Sequence, residues 1–303
     1  MSFLDTLVQM LVILFAVALG YVAHRLGYLG PEINRKLSKL IIHITLPALA
    51  LSAVINSQAD VSLEALGSIL VAVLAFYGVS LALAFLVPPL LGGSRAHRGV
   101  WQFSLVFSNA AFIGYPVIEG LFGEKGLFYA VLMVLPMTLM NFTLAPVMLG
   151  GTASITWRKL VTPGTVCSLL ALVLAFTGWR PPEMVGEMLD MVGDITIPLS
   201  LLALGSMLAS MPAKSVLSAP RLWVLSLVRL VVMPGVLALL LRPFGIDPLL
   251  LSVAVVEIGM PVAVNGSMMC LEFGGDADAM AQGIFLSTVL CIVTIPLVTA
   301  LFL

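Results

Sequence analysis

Two stretches of this sequence set helix breakers beside hydrogen-bonding amides. Residues 108–120 read SNAAFIGYPVIEG and hold Asn109, Gly114 and Pro116; residues 259–266 read GMPVAVNG and hold Pro261 and Asn265. Proline lacks a backbone donor and clashes with the carbonyl four residues earlier. Nearby glycine lowers the cost of leaving helical dihedrals. A helix broken this way has a half-end whose N–H groups suit an anion and another whose carbonyls suit a cation. The chemistry on offer is therefore binding, not bond-making. A plain proline kink is the competing reading, since Gly and Pro are frequent in membrane helices. The paired occurrence and the adjacent amides favour a ligand site.

Two ionisable residues sit in the same apolar surroundings. Glu257 lies four residues before Pro261, about one helical turn, and Arg229 lies near the centre of another apolar run. Such groups at membrane depth are functional candidates. Arg229 could meet an anionic substrate group and Glu257 a proton or cation, or the two could pair structurally. Glu183, Glu187, Asp190 and Asp194 are spaced four, three and four apart and share one face of a helix. They could form a cation-attracting vestibule with Asp194 deepest, or merely a solvated face. Glu119, three residues after Pro116, has the same two readings. Coupling to protons or sodium would fall to Glu257, Asp194 or Glu119. His43 reads as interfacial, and the glycosylation triplet NFT at 141–143 is set aside because it lies in an apolar span. The chain lacks HExxH, GxSxG and Walker A patterns, and no His, Asp and Glu cluster has metal-ligand spacing. Neither an enzyme, a metal nor an organic cofactor is expected.

The elements that must position these residues follow from composition. The chain has 303 residues, 61% of them hydrophobic and 10% charged, with a mean hydropathy of +1.16. Soluble domains carry about 25% charged residues, so the solvent is a bilayer. A spanning helix needs about 20 mostly apolar residues. Ten runs qualify: 4–23, 33–55, 63–91, 100–122, 126–149, 160–178, 188–210, 219–241, 248–271 and 279–302. They are too continuous for a transmembrane β-barrel. The first is read as a spanning helix, not a removed signal. Cys167, Cys270 and Cys291 are far apart and imply neither disulfides nor zinc.

Lys and Arg mark the cytoplasmic side. Ten of them (Arg25, Arg35, Lys36, Lys39, Arg95, Arg98, Arg158, Lys159, Lys214, Arg221) fall in alternate connections. Only Lys125, Arg180 and Arg242 fall opposite. This places both termini outside, in the inner (plasma) membrane. The acidic connection EFGGDADAM, at 272–280, is the one dissenter.

The chain also repeats itself. ITLPALAL at 44–51 resembles ITIPLSLL at 195–202, and GYP at 114–116 resembles GMP at 259–261. The pairs relate helix 2 to helix 7 and helix 4 to helix 9. An offset of five helices inverts the second copy across the membrane, a layout of secondary transporters. The halves are 1–150 and 151–303.

SNAAFIGYPVIEGLFG, GMPVAVNGSMMCLEFG and ITLPALAL together resemble the auxin efflux carrier family, which includes plant PIN proteins and bacterial relatives. The resemblance implies an all-α integral membrane fold of ten helices in two inverted five-helix repeats, with helices 4 and 9 interrupted and crossing at Pro116 and Pro261 at the midplane. It implies a scaffold of helices 1, 2, 6 and 7, a transport domain of helices 3–5 and 8–10, elevator-type alternating access, and a homodimer. The implied substrates are small organic anions, auxin in plants and dicarboxylates such as malonate in bacteria. The implied binding residues are Asn109, Gly114, Pro116, Pro261 and Asn265. Only GGTASITWRK, at 150–159, joins helices 5 and 6, which suits a compact bacterial carrier. The related bile-acid sodium symporters keep sodium coupling open. No nucleic-acid partner is implied.

Overall fold

The computed structural model describes residues 3–56, 62–151, 163–179, 181–211 and 219–303. The loop cations Arg158, Lys159, Arg180 and Lys214, and residues 152–159 of the 5–6 connection, lie outside the described residues. The helices in chain order are α1 (Phe3–Arg25), α2 (Pro31–Asn56), α3 (Leu63–Leu91), α4 (Arg95–Val106), α5 (Tyr115–Met148), α6 (Pro163–Thr177), α7 (Glu183–Ala209), α8 (Pro220–Phe244), α9 (Pro248–Ile258), α10 (Gly266–Phe273) and α11 (Ala277–Phe302). Among the described residues, seven helices are long and apolar enough to cross a membrane. The shorter α4, α9 and α10 flank the two predicted breaks.

Local chemistry explains where helices start and stop. Ser62, Ser94, Asp247 and Asp276 accept hydrogen bonds from the first-turn N–H groups of α3, α4, α9 and α11, the usual cap. The α5 run breaks at Gly123, with φ 66° and ψ −166°, a conformation essentially confined to glycine. The spans read at 100–122 and 126–149 part there.

Three prolines share one local solution. Pro47, Pro116 and Pro234 each follow a widened helical turn, at Ile41–Thr45, Ala110–Gly114 and Val228–Val232. In each, the N–H just before the proline reaches back five residues: Leu46 to Ile41, Tyr115 to Ala110, Met233 to Val228. Widening the turn relieves the proline ring's conflict with the carbonyl four residues earlier. At Pro116 that carbonyl belongs to Phe112, and the Ser200 hydroxyl of α7 donates to it at 3.5 Å. Near Pro136, Tyr77 of α3 repairs the ladder differently. Its hydroxyl donates to the Met133 carbonyl (2.9 Å) and accepts from the Met137 N–H (3.1 Å).

Packing sorts the helices. α1 lies on the Thr196–Ala209 half of α7, while the Leu46–Asn56 half of α2 lies on α6 and on the Glu183–Gly193 half of α7. Elsewhere α3 packs on α4, α8 and α9, α9 packs on α5, and α11 packs on α8 and α10. The two sets meet where α11 and α5 touch α1 and where α5 touches α2 and α6. Large apolar side chains such as Phe15, Leu74, Leu170, Met191 and Leu239 remain exposed on the outer helix faces, as lipid contact requires.

Candidate functional site

The chain between α4 and α5 and the chain between α9 and α10 lie against each other. Ser108 and Val262 form an isolated antiparallel bridge. The Asn109 N–H donates to the Pro261 carbonyl at 2.8 Å, and the Ala263 N–H donates to the Phe107 carbonyl at 3.1 Å. The Val262 N–H donates to the Ser287 hydroxyl of α11 at 3.1 Å. Backbone groups left unpaired in lipid cost several kcal/mol each. Each break therefore satisfies the other, which explains why the breakers occur in pairs.

Arg229 sits in the widened turn of α8 and is 1% exposed. Its Nε donates to the Met260 carbonyl at 2.8 Å, and one terminal nitrogen donates to the Leu105 (2.7 Å) and Ser104 (3.1 Å) carbonyls. Those oxygens come from the last turn of α4 and the residue pair after α9, positions that lose their helical partners. Glu257 is fully buried, and among the described residues neither carboxyl oxygen has a hydrogen-bond partner. No ion pair joins it to Arg229. Its carboxyl instead covers Gly114: a Cβ added there would stand 2.9 Å from Glu257 Oε2. A side chain at 114 would have to push that carboxyl aside.

A cavity of about 580 Å³ opens on the other side of the paired breaks. Ser108, Asn109 and Asn265 face it from the breaks, Thr138 and Asn141 from α5, His43 from α2 and Glu272 from α10. Leu46, Val131, Leu135, Phe142 and Phe273 supply apolar wall. Asn109 is 3% exposed; among the described residues its Nδ2 has no hydrogen-bond partner, and the buried Asn141 Oδ1 has none either. Ser108 and Asn265 donate only to methionine sulfurs, of Met137 and Met269, at 3.6 and 3.7 Å. Sulfur is a weak acceptor, so both groups can exchange it for a better one. No Lys or Arg appears in the described lining.

Of the residues singled out by sequence, Asn109 and Asn265 reach the cavity. Gly114, Pro116 and Pro261 shape the breaks without lining it. Arg229 and Glu257 are buried behind the wall. Asp194 is exposed at the turn within α7, and half-buried Glu119 lies in the first turns of α5; neither lines the cavity. Within the acidic stripe, Asp190 accepts from the Ser52 hydroxyl and from the Asn56 amide at 2.8 and 2.9 Å, which ties α7 to α2. Spacing alone missed Ser108, Thr138, Asn141 and Glu272. Asn141 had a signal, a polar amide in the middle of an apolar run, which the sequon reading masked.

A family model described as "Membrane transport protein" matches residues 5–153 and 146–299. The chain is 28% identical over 302 residues to an "Uncharacterized transporter" of Methanothermobacter thermautotrophicus, covering 98% of each chain. It is 25% identical to an "Uncharacterized transporter" of Methanocaldococcus jannaschii, covering 95% of this chain and 96% of that one. It is 24% identical to a "Putative malonate transporter" of Rhizobium meliloti, covering 92% and 90%.

Proposed function

This chain belongs to the membrane transport protein family, as the auxin efflux carrier resemblance anticipates, and on that premise we propose that it is a secondary carrier for a small organic anion. It is a multi-pass membrane protein. The observation that carries the reading is the hydrogen-bonded pairing of residues 107–109 with 261–263 on the wall of the cavity. Paired breaks of this kind are how transporters build a polar site within the bilayer.

In this reading the fold is two inverted five-helix repeats, divided near residue 150, where the two matched segments also divide. Pro116 and Pro261 sit where the interrupted helices 4 and 9 cross. The scaffold is α1, α2, α6 and α7, the set that packs together. The remaining helices form a transport domain that carries the site across by elevator-type alternating access. Positive loops place both termini outside the inner membrane, and the working unit is a homodimer.

The substrate is a carboxylate. Asn109, Asn265, Ser108 and Asn141 offer it hydrogen bonds, and the break before α10 offers a helix N-terminus. With no Lys or Arg in the described lining, the anion is held by these amide and hydroxyl donors and by His43. Malonate enters the candidate panel through the relative named for it, and auxin-like monocarboxylates through the family. Glu257, the buried carboxyl beside the site, is the coupling group. Uptake of labelled mono- and dicarboxylates into proteoliposomes tests the reading. Saturable uptake that Asn265→Ala abolishes is expected; wild-type transport by that variant refutes the site.

A further inference from the structure

Two helix C-termini end against one another here. The Ser104 and Leu105 carbonyls in the last turn of α4 and the Met260 carbonyl just after α9 all accept from one side chain, Arg229. A helix C-terminus carries roughly half a negative charge. Two of them side by side carry about one, in an apolar interior where like charges repel strongly. A single guanidinium balances that sum, and its planar fork reaches oxygens from both helices at once.

Carbonyl clusters at interrupted helices are also where transporters place a sodium ion. A monovalent cation bound by Ser104, Leu105 and Met260 oxygens would match the same charge. We propose that Arg229 is a resident cation: a positioning residue that fills, with a covalently tethered charge, the place a sodium ion would otherwise take. It holds the two interrupted helices as one rigid unit, and the carrier therefore needs no sodium to assemble its site. This reassigns the buried charge. Arg229 does not line the cavity and forms no ion pair with Glu257; its three bonded acceptors are all backbone carbonyls of the two breaks. The widened turn that accompanies Pro234 holds Arg229, at its second residue, five positions before that proline.

The consequence for coupling rests on the carrier reading, but the clamp itself does not, so the deciding measurement is stability. Purified wild-type protein and its Arg229→Gln and Arg229→Lys variants are unfolded thermally in sodium, potassium and choline chloride at equal ionic strength. The wild type is expected to melt at the same temperature in all three salts, within about 1 °C. Arg229→Gln keeps some donors but no charge, and is expected to melt at least ~5 °C lower in choline. Sodium should restore part of that loss, because the carbonyl oxygens are then open to a mobile cation. Arg229→Lys, with the charge but not the fork, should fall between. That recovery by a cation separates charge balance from simple packing. A sodium-selective gain in the wild type overturns the proposal, and so does an Arg229→Gln protein as stable in choline as the wild type. If Arg229→Gln does not fold, the wild-type comparison still decides. If the stabilities behave as expected while no carboxylate is transported, the clamp stands and the carrier reading fails.

Discussion

The backbone N–H of Asn109 is hydrogen-bonded to the carbonyl of Pro261 across 2.8 Å, joining residues 152 positions apart. Each lies in a break that a bilayer would penalise on its own. Together they form a small polar floor, with Asn109 and Asn265 beside it on the cavity wall.

The cavity amides should govern affinity, not folding. Asn141→Ala should weaken carboxylate binding about tenfold, the loss expected for one hydrogen bond to a charged group. The donor to the carboxylate is Asn141 Nδ2, and the melting temperature should stay near wild type, because the Asn141 side chain makes no hydrogen bond among the described residues. Titration calorimetry beside thermal unfolding checks both halves.

Gly114 and Glu257 should be energetically coupled. A Cβ at 114 would stand 2.9 Å from Glu257 Oε2, so Gly114→Ala alone should destabilise, by about 1–3 kcal/mol as overpacking does. Glu257→Asp withdraws the carboxyl by one methylene. The double variant should therefore lose less than the two single losses combined. Denaturant titration of the four proteins measures the coupling.

Tyr77→Phe should destabilise without touching the cavity. The hydroxyl bridges the Met133 carbonyl and the Met137 N–H. Its removal takes away both of these buried hydrogen bonds, at about 1–3 kcal/mol. Thermal unfolding reads the loss, and substrate affinity in the surviving folded fraction should be unchanged.

Glu257→Gln should separate exchange from accumulation. If Glu257 couples transport to an ion, its amide variant should still exchange substrate for substrate across a liposome. Uptake driven by an imposed proton gradient should fall to the passive level. Counterflow and gradient-driven uptake on the same preparation distinguish the two.

Sequence spacing revealed the breakers and, among the described residues, the seven long apolar helices, because proline chemistry and apolar length are local properties. It also picked out Asn109 and Asn265, which border the cavity. It could not reveal what Arg229 binds, since the partners are backbone carbonyls that any sequence would supply. Nor could it judge the depth of Asp194: helical periodicity shows which face a residue shares, not how far that face sits from solvent. The partner of each break was half legible. The GYP and GMP likeness pointed to equivalent positions, but hydrogen bonding between 107–109 and 261–263 depends on how two distant helices pack. The widened turns at 41–45, 110–114 and 228–232 each end one residue before a residue–proline pair, a regularity that emerges only once backbone bonds are traced.

The most direct test of the central claim, that the paired breaks form the wall a substrate touches, is side-by-side proteoliposome uptake by the wild type, Asn109→Ala and Asp194→Asn. Asn109 lines the cavity, whereas Asp194 is an exposed acidic residue away from it. Uptake lost in Asn109→Ala and retained in Asp194→Asn is the predicted result. Full uptake by a folded Asn109→Ala protein, or loss confined to Asp194→Asn, would contradict it.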